Sequence, residues 1–478
     1  MAWRRKAKIV CTIGPASNSQ QILEKLIEGG MDVARLNFSH GDHDFHRDVI
    51  GKIRRLSKKL NKNTAILQDL QGIKIRVGKV KDGGIRLNKN HIIRVMKGDG
   101  LSNEDAIYIS YPWLIDDAMP GNRILIDDGL IQLNVEEKKE DFLLSRVIEG
   151  GLLKDNKGVN LPRMEIRTPP FTEKDRRDLL FGMEEGVDYI AMSFVRNAAD
   201  IINVKNFMEE QGRIIPIIAK IEKEEAIKDI ENILEVAEGI MIARGDLGVE
   251  MPLEEIPLYQ KMLIKKANDA MKIVITATQM LESMTQHSRP TRAETTDVAN
   301  AVLDGSDALM LSAETSAGKF PVDAVKVMDT IITFTERSWY EHMEASPHKN
   351  GILFSKSAFI EKAIAKAAAQ AAMDTGAKVI VAFTRTGFTA RLISKFRPET
   401  PIVAFSSNND VVKRMSIYRG VEAYYIRNLI DTDDMIREVN SFMLANRLLE
   451  KGDKVILVAG HPVTASAKTN MIKVHVIE

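Results

Sequence analysis

Residues Ile214–Gly248 read IIPIIAKIEKEEAIKDIENILEVAEGIMIARGDLG. Two short apolar runs, IIPIIAKI and GIMIA, flank an acidic segment with helical periodicity. Apolar runs of this length suit strands buried on both faces, so the stretch predicts a βαβ unit with parallel strands. Both strands of such a unit end on the same side. Lys220 and Glu222 close the first run, and Arg244 and Asp246 follow the second. Two carboxylates and an ammonium converging there fit a divalent cation beside an anionic substrate.

Outward from this unit the same rhythm repeats. KIVCTIG (Lys8–Gly14) precedes a helix for which Ser17 is the candidate cap and Gly29–Gly30 the end. VARLNFSHG (Val33–Gly41) precedes a helix around Asp44–Leu60, and TAILQDLQG (Thr64–Gly72) is the third run. Strands alternating with helices at roughly 25–35-residue spacing mark parallel α/β architecture. From about Ile73 to Arg167 the rhythm gives way to alternating strand patterns with no convincing helix, and Asp128-Gly129 is a hairpin signal. At Thr172 it resumes with DYIAMSF (Asp188–Phe194), the two runs quoted first, KIVITATQM (Lys272–Met280) and DALMLSAET (Asp307–Thr315). Three runs before the interruption and five after it predict a (β/α)8 barrel with its active site at the strand C-termini.

The expected fold class is therefore α/β: a (β/α)8 barrel with an inserted small all-β domain and a C-terminal α/β domain. The expected divisions are 1–72 (barrel strands 1–3), 73–168 (inserted β lid), 169–345 (strands 4–8) and 346–478 (C-terminal domain). The last opens on an alanine-rich helix, Lys356–Thr375, and continues through KVIVAFT, PIVAFSS, VEAYYI, KVILVAG and KVHVIE.

Composition narrows the classes of function. Lys+Arg of 67 against Asp+Glu of 66 gives a net charge of +1, so no global field points to nucleic acid or membrane. No apolar run approaches the ~20 residues of a membrane span. The basic N-terminus runs straight into a strand, without the pattern of a signal peptide. One cysteine, Cys11, excludes a disulfide framework within the chain and suits a reducing cytoplasm; its strand context makes it a small buried hydrophobe.

At the proposed barrel mouth the second strand offers Arg35, Asn37, Ser39 and His40, and the third Asp69. The fifth offers Lys220 and Glu222, the sixth Arg244 and Asp246, the seventh Thr278 and Gln279, the eighth Ser312 and Glu314. Ser39, Ser312 and Glu314 taken singly read as helix caps. Glu222 and Asp246 are hard oxygen ligands suited to Mg2+. Gly245 and Gly248 let backbone approach a ligand, and free N–H groups of a helix starting there would bind a carboxylate or phosphate. Lys220 can neutralise charge on a transferred phosphoryl group or an enolate, Arg35 can grip phosphate, and Thr278 can pass a proton. The spacing supports a Mg2+-dependent reaction of a small anionic acid without choosing the reaction.

The wording chooses it. KIVCTIGPAS, ARLNFSHG, LQDLQGIKIRVG, DDGLIQL, NKGVNLP, KIEKEEAIKDI, IMIARGDLGVE, TATQMLESM, RPTRAETTDVANAVLDGSDALMLSAET and GKFP together resemble the pyruvate kinase family over essentially the whole chain. The resemblance implies transfer of phosphate from phosphoenolpyruvate to ADP, giving pyruvate and ATP, in the last step of glycolysis. It implies that Glu222 and Asp246 hold Mg2+ (with Mn2+ as an alternative) and that the Ala243–Arg244–Gly245 backbone receives the substrate carboxylate. Lys220, Arg35 and Thr278 would be catalytic: transition-state charge, the transferring phosphate and the proton relay. Asn37, His40, Arg76 and Lys157 would face the nucleotide, a second Mg2+ would arrive with ADP, and the β domain would close as a lid that excludes water. A cytoplasmic homotetramer is implied as well.

Two departures set further expectations. The family's Gly-Pro after strand three is here Gly72-Ile73, which relaxes the hinge. Asn37, Ser39, Asp69 and Leu70 occupy the positions that hold a monovalent cation in K+-requiring members. Those members carry Thr and Glu where this chain has Leu70 and Lys74. The Lys74 ammonium can supply the charge K+ would bring, so K+ is not expected to be required. In the C-terminal domain, Thr384, Arg385, Thr386, Gly387, Phe388 and Thr389 lie between a strand and a helix. They read equally as an N-cap turn or a phosphate cradle; the resemblance implies the loop of a phosphorylated effector. The family's Trp-Arg pair that contacts a second phosphate is replaced by Gly460-His461-Pro462-Val463. That favours AMP or a sugar monophosphate such as ribose 5-phosphate. The rival readings are a Mg2+-dependent lyase or aldolase acting through pyruvate enolate, and a non-catalytic metabolite sensor. The first needs no lid and no Lys157; the second would have lost Lys220, Glu222 or Asp246.

Overall fold

The computed structural model describes residues 5–343, 360–462 and 468–478. Val463, the 345/346 division and the first residues of the Lys356 helix lie outside them.

Eight strands close a parallel barrel: β1 (Lys8–Ile13), β2 (Val33–Asn37), β3 (Ala65–Asp69), β4 (Tyr189–Met192), β5 (Ile217–Ile221), β6 (Gly239–Ala243), β7 (Ile273–Ala277) and β8 (Ala308–Leu311). Each pairs with its neighbours in chain order and β8 returns to β1, so three strands precede the interruption and five follow it, as the sequence pattern requires. Side chains alternate between two environments, as pleating dictates. Ile9, Cys11, Ala34, Leu36, Ile66, Ile240 and Leu309 pack outward against the helices. Val10, Val33, Leu67, Ile218, Met241, Ile275 and Met310 fill the lumen, in one apolar cluster with Leu392, Ile393, Met415 and Tyr418 of the C-terminal domain. That domain therefore closes the N-terminal end of the barrel, where Tyr189 Oη donates to the Arg414 carbonyl (2.9 Å) and Lys8 Nζ to that of Val421 (3.0 Å). The other end is left for chemistry.

Between β3 and β4 the chain builds a six-stranded sheet and a two-stranded one. The expected hairpin joins Arg123–Ile126 to Ile131–Lys138, and its turn strings together positive φ at Asp127 (56°), Asp128 (55°) and Gly129 (85°). The domain is not purely β: Leu114–Asp117 forms one helical turn. Its returning strand touches the barrel mouth, with Asn160 Nδ2 3.4 Å from Glu250 Oε1. Arg196 Nη1 grips the Ile166 carbonyl of the exit segment at 2.6 Å.

The C-terminal sheet has five strands, ordered Val421–Tyr425, Ile402–Ser406, Val379–Phe383, Lys454–Gly460, Thr469–Val476, the last antiparallel. Two local expectations need correction. Ser19, not Ser17, caps the first helix, its side chain accepting from the Ile22 N–H, while Ser17 Oγ accepts from Gly14 N in the preceding loop. The acidic segment after β5 is two helices, Glu224–Lys228 and Ile230–Val236, because Asp229 leaves the helical conformation and its carboxylate accepts from the Ala198 N–H.

Candidate active site

Thr12, Arg35, Asn37, His40, Lys220, Met241, Ala243, Asp246, Thr278, Met310 and Ser312 border a cavity of about 270 Å³ at the C-terminal mouth of the barrel. The two methionines form its floor and join it to the apolar lumen. A depression of about 300 Å³ lies elsewhere, among Pro169, Phe171, Arg176 and Phe207. It lacks the convergence of strand ends that defines the barrel site.

Asp69 is the hub. Its carboxylate takes Arg35 Nε at 2.7 Å and Nη2 at 2.6 Å on one oxygen, and Lys220 Nζ at 3.2 Å on the other. Burial alone would raise its pKa; Lys220 and Arg35 outweigh burial and hold it below the ordinary carboxylate range. Lys220 also reaches Glu222 Oε1 (2.9 Å) and Ser193 Oγ (2.7 Å). Burial works against its charge, but Asp69 and then Glu222 keep its pKa above the ordinary lysine range. The ammonium is a fixed positive charge at any physiological pH. Arg35 is held from its other side by Thr12 Oγ1 at 2.8 Å, and Glu222 Oε2 accepts the Phe194 N–H at 2.7 Å.

Asp246 has no comparable cation. Burial, then the neighbouring Glu222 carboxylate, push its pKa up to about 7, against the pull of Lys220; Asp128 of the inserted domain and Asp69 add to the rise. Asp246 thus lies within the electrostatic reach of Glu222, with the Lys220 charge already engaged by Asp69 and Glu222. Among the described residues no group of three or more His, Cys, Asp or Glu is arranged around a metal. Two carboxylates are nevertheless the donor set Mg2+ takes when substrate oxygens and water complete its shell. The residues present fit that ion.

Asp246 sits in the first turn of the helix Arg244–Glu250, which begins where β6 ends and has no side-chain cap. A Cβ at Gly245 would meet only Thr278, at 3.5 Å, so protein packing does not demand glycine there. Its neighbours Ala243 and Asp246 border the cavity. The Arg244 side chain turns away, to Asp297 (2.7 Å) and the Thr278 carbonyl (2.6 Å). Only its main chain is available to a ligand. Thr278 holds φ at 68° and Gln279 at 54°. A β-branched residue in that region is an outlier costing on the order of 1–3 kcal/mol. It persists because Arg244 clamps its carbonyl, the Gly245 N–H bonds its hydroxyl (2.8 Å), and that hydroxyl donates to the Ala277 carbonyl (2.6 Å).

The loop after β2 carries the nucleotide candidates. Asn37 Oδ1 accepts the Ser39 N–H at 3.1 Å, and the following helix (His43–Lys59) is capped by Asp42, so Ser39 is not its cap. Burial, then Lys74, Arg76 and Arg35, depress the His40 pKa. His40 is therefore neutral at pH 7, and Lys74 and Arg76 lie within its electrostatic reach. Lys74 is exposed with a pKa lowered by partial burial and then by Arg76 and Lys174. Lys157, in the inserted domain, pairs with Asp127 at 2.8 Å. Glu314 is fully buried and accepts the Ser312 and Leu281 N–H groups, a structural anchor. Among the described residues the Ser312 hydroxyl has no hydrogen-bond partner, although the residue borders the cavity. Thr384–Thr389 lies apart, in the C-terminal domain.

Sequence reasoning assigned nothing to the ends of β1 and β4. Thr12 and Ser193 stand there and complete the polar ring; the available signal was a hydroxyl closing each of those apolar runs, KIVCTI and YIAMS.

Comparison with known proteins identifies the family. The family profile described as "Pyruvate kinase, barrel domain" matches residues 4–325, and "Pyruvate kinase, alpha/beta domain" matches residues 362–475. The chain is 45% identical over 477 residues to a pyruvate kinase of Geobacillus stearothermophilus, covering 99% of this chain and 81% of that one. It is 43% identical over 475 residues to one of Mycobacterium tuberculosis, covering 98% of each. A crystal structure of a pyruvate kinase from Cryptosporidium parvum superposes with a TM-score of 0.91 at 38% identity, over 99% of this chain and 96% of that one.

Proposed function

The chain belongs to the pyruvate kinase family and is a phosphotransferase, and from that premise we propose how its own residues carry the reaction. The observation that carries the reading is the Asp69–Lys220–Glu222 chain beside Asp246: one fixed ammonium between buried carboxylates, with one further carboxylate, Asp246, whose charge it only partly offsets. Phosphoenolpyruvate binds with its carboxylate at the Ala243–Gly245 backbone, where the Gly245 N–H now held by the Thr278 hydroxyl turns to the substrate, and with its phosphate toward Arg35 and Lys220. Mg2+ held by Glu222 and Asp246 supplies charge neutralisation to the substrate oxygens. Asn37, His40, Arg76 and Lys157 receive ADP, with a second Mg2+ carried by the nucleotide. The bond from phosphorus to the enol oxygen breaks as that to the ADP β-phosphate oxygen forms. Lys220 and Arg35 stabilise the charge spread over the moving phosphoryl group. The enolate left behind takes a proton at its methylene carbon through a relay that includes Thr278, giving pyruvate. Lys157 leaves Asp127 to reach the nucleotide as the inserted domain closes and excludes water.

K+ is dispensable in this reading. Two of the monovalent-cation positions are already engaged, Asp69 by Arg35 and Lys220, and the Leu70 carbonyl by Ser193 Oγ at 2.7 Å. Lys74 places its charge close by. The loop Thr384–Thr389 takes the phosphate of a monophosphate effector, AMP or a sugar phosphate. Its helix, Phe388–Lys395, starts at Gly387 (φ 87°) with no side-chain cap, although Thr384 and Thr386 hydroxyls already engage the Gly387 and Phe388 N–H groups. The same helix reaches the barrel through Arg391–Glu238 and the buried Lys395–Asp307 pair. Domain divisions after residues 72, 168 and 345, a homotetramer and a cytoplasmic location complete the proposal. A coupled assay of pyruvate formed from phosphoenolpyruvate and ADP, with and without Mg2+, tests it. A lyase would not need ADP, and a sensor would form no pyruvate.

A further inference from the structure

The loop that presents Asn37 and His40 is gripped from behind. The Phe38 N–H donates to the Asp69 carbonyl at 3.0 Å, which fixes one side of that peptide to the hub of the site. The Phe38 carbonyl accepts from Lys174 Nζ at 2.7 Å. Lys174 is aimed by Asp178, whose Oδ2 lies 2.5 Å from the ammonium; Asp178 is buried and its Oδ1 meets His43 Nε2 at 2.9 Å. The His40 carbonyl meets His46 Nε2 at 3.0 Å, so that nitrogen must carry the proton. His46 in turn stacks on the Phe38 ring, centroids 4.0 Å apart at 11°.

Lys174 occupies the first turn of the helix Glu173–Glu184, which is already closed by the Thr172–Asp175 capping box. A cation there opposes the helix dipole, and within the helix it gains only the i,i+4 pair with Asp178. What the ammonium does is cross from the helix to a loop carbonyl of another βα unit. We infer that Lys174 is a positioning residue for the nucleotide: through the Phe38 carbonyl it fixes the loop on which Asn37 and His40 meet ADP, without touching either substrate. The inference rests on the reading of that loop as the nucleotide contact.

Steady-state kinetics of Lys174→Met, Lys174→Arg and His40→Ala, with melting temperatures, test it. Lys174→Met removes a charge-assisted hydrogen bond and is expected to raise KM for ADP ~10-fold, with KM for phosphoenolpyruvate within about two-fold of wild type. Its melting temperature should fall by only a few degrees, for the lost Asp178 pair, and Lys174→Arg, which keeps a donor, should recover most of the ADP affinity. Equal rises in both KM values with a larger fall in melting temperature would assign Lys174 a merely structural role and overturn the inference. So would a silent Lys174→Met beside a His40→Ala that raises KM for ADP. If His40→Ala is silent too, the reading of the loop fails and the inference fails with it.

Discussion

Asp246→Asn should make the metal-free protein more stable while stopping the reaction. In the fold the Asp246 carboxyl keeps its proton up to about pH 7, whereas its ordinary value is 3.8. Between those values the folded state holds a proton that the unfolded chain has released. Lowering the pH through that window therefore favours the fold, and above pH 7 the folded protein bears the full cost of the buried charge. A displacement of about three units at ~1.4 kcal/mol each gives ~4 kcal/mol. Asp246 is only partly covered on its cavity side, so solvent screening reduces this to about 2 kcal/mol. Asparagine keeps the shape and removes the charge. In chelator at pH 8 the variant should withstand urea better by about 2 kcal/mol. The gain should shrink to under half by pH 4, where the wild-type carboxyl is protonated in the fold and partly so in the unfolded chain. Saturating Mg2+ should reverse the order by stabilising the wild type alone. Urea titrations at both pH values decide the matter. A variant no more stable than wild type at pH 8 without divalent cations would refute the reasoning, because the two carboxylates would then not be in electrostatic conflict.

Lys220→Met strips the ammonium from between Asp69 and Glu222; kcat should fall by at least ~10³-fold, and a loss below ten-fold in coupled kinetics would remove Lys220 from the transition state. Lys74→Glu should convert an enzyme indifferent to K+ into one activated by it at constant ionic strength; strong activation of the wild type, unchanged in the variant, would refute the role of Lys74. AMP or ribose 5-phosphate should lower the phosphoenolpyruvate concentration for half-maximal rate more than fructose 1,6-bisphosphate does. Tight activation by the bisphosphate would show that the loop at Thr384–Thr389 does not select monophosphates.

The barrel was legible because each of its strands is an apolar run buried on both faces, and because eight such runs add up only when the stretch from Ile73 to Arg167 is set aside as an insertion. Lys220, Glu222 and Asp246 were legible for a related reason, since charge at the end of a buried parallel strand has few structural uses. Asp69 was harder to weigh. Its role as the hub depends on Arg35 from the preceding strand and Lys220 from β5, two strands further on, meeting on one carboxylate. Thr12 and Ser193 escaped because a hydroxyl at a strand end is ordinary until a cation is seen bonded to it. The positive φ of Thr278 was beyond reach, being imposed by the Arg244 clamp rather than by local propensity. The break at Asp229 is likewise tertiary: its carboxylate is recruited by an amide of the preceding βα unit.

The central claim is that this cavity moves the phosphoryl group of phosphoenolpyruvate to ADP. Following phosphorus directly by 31P NMR tests it most simply, with phosphoenolpyruvate, ADP and Mg2+ and no added K+. The phosphoenolpyruvate signal should be replaced one for one by the γ-phosphate of ATP, and excess chelator should stop the exchange. Inorganic phosphate appearing in place of ATP, or consumption of phosphoenolpyruvate without ADP, would contradict it.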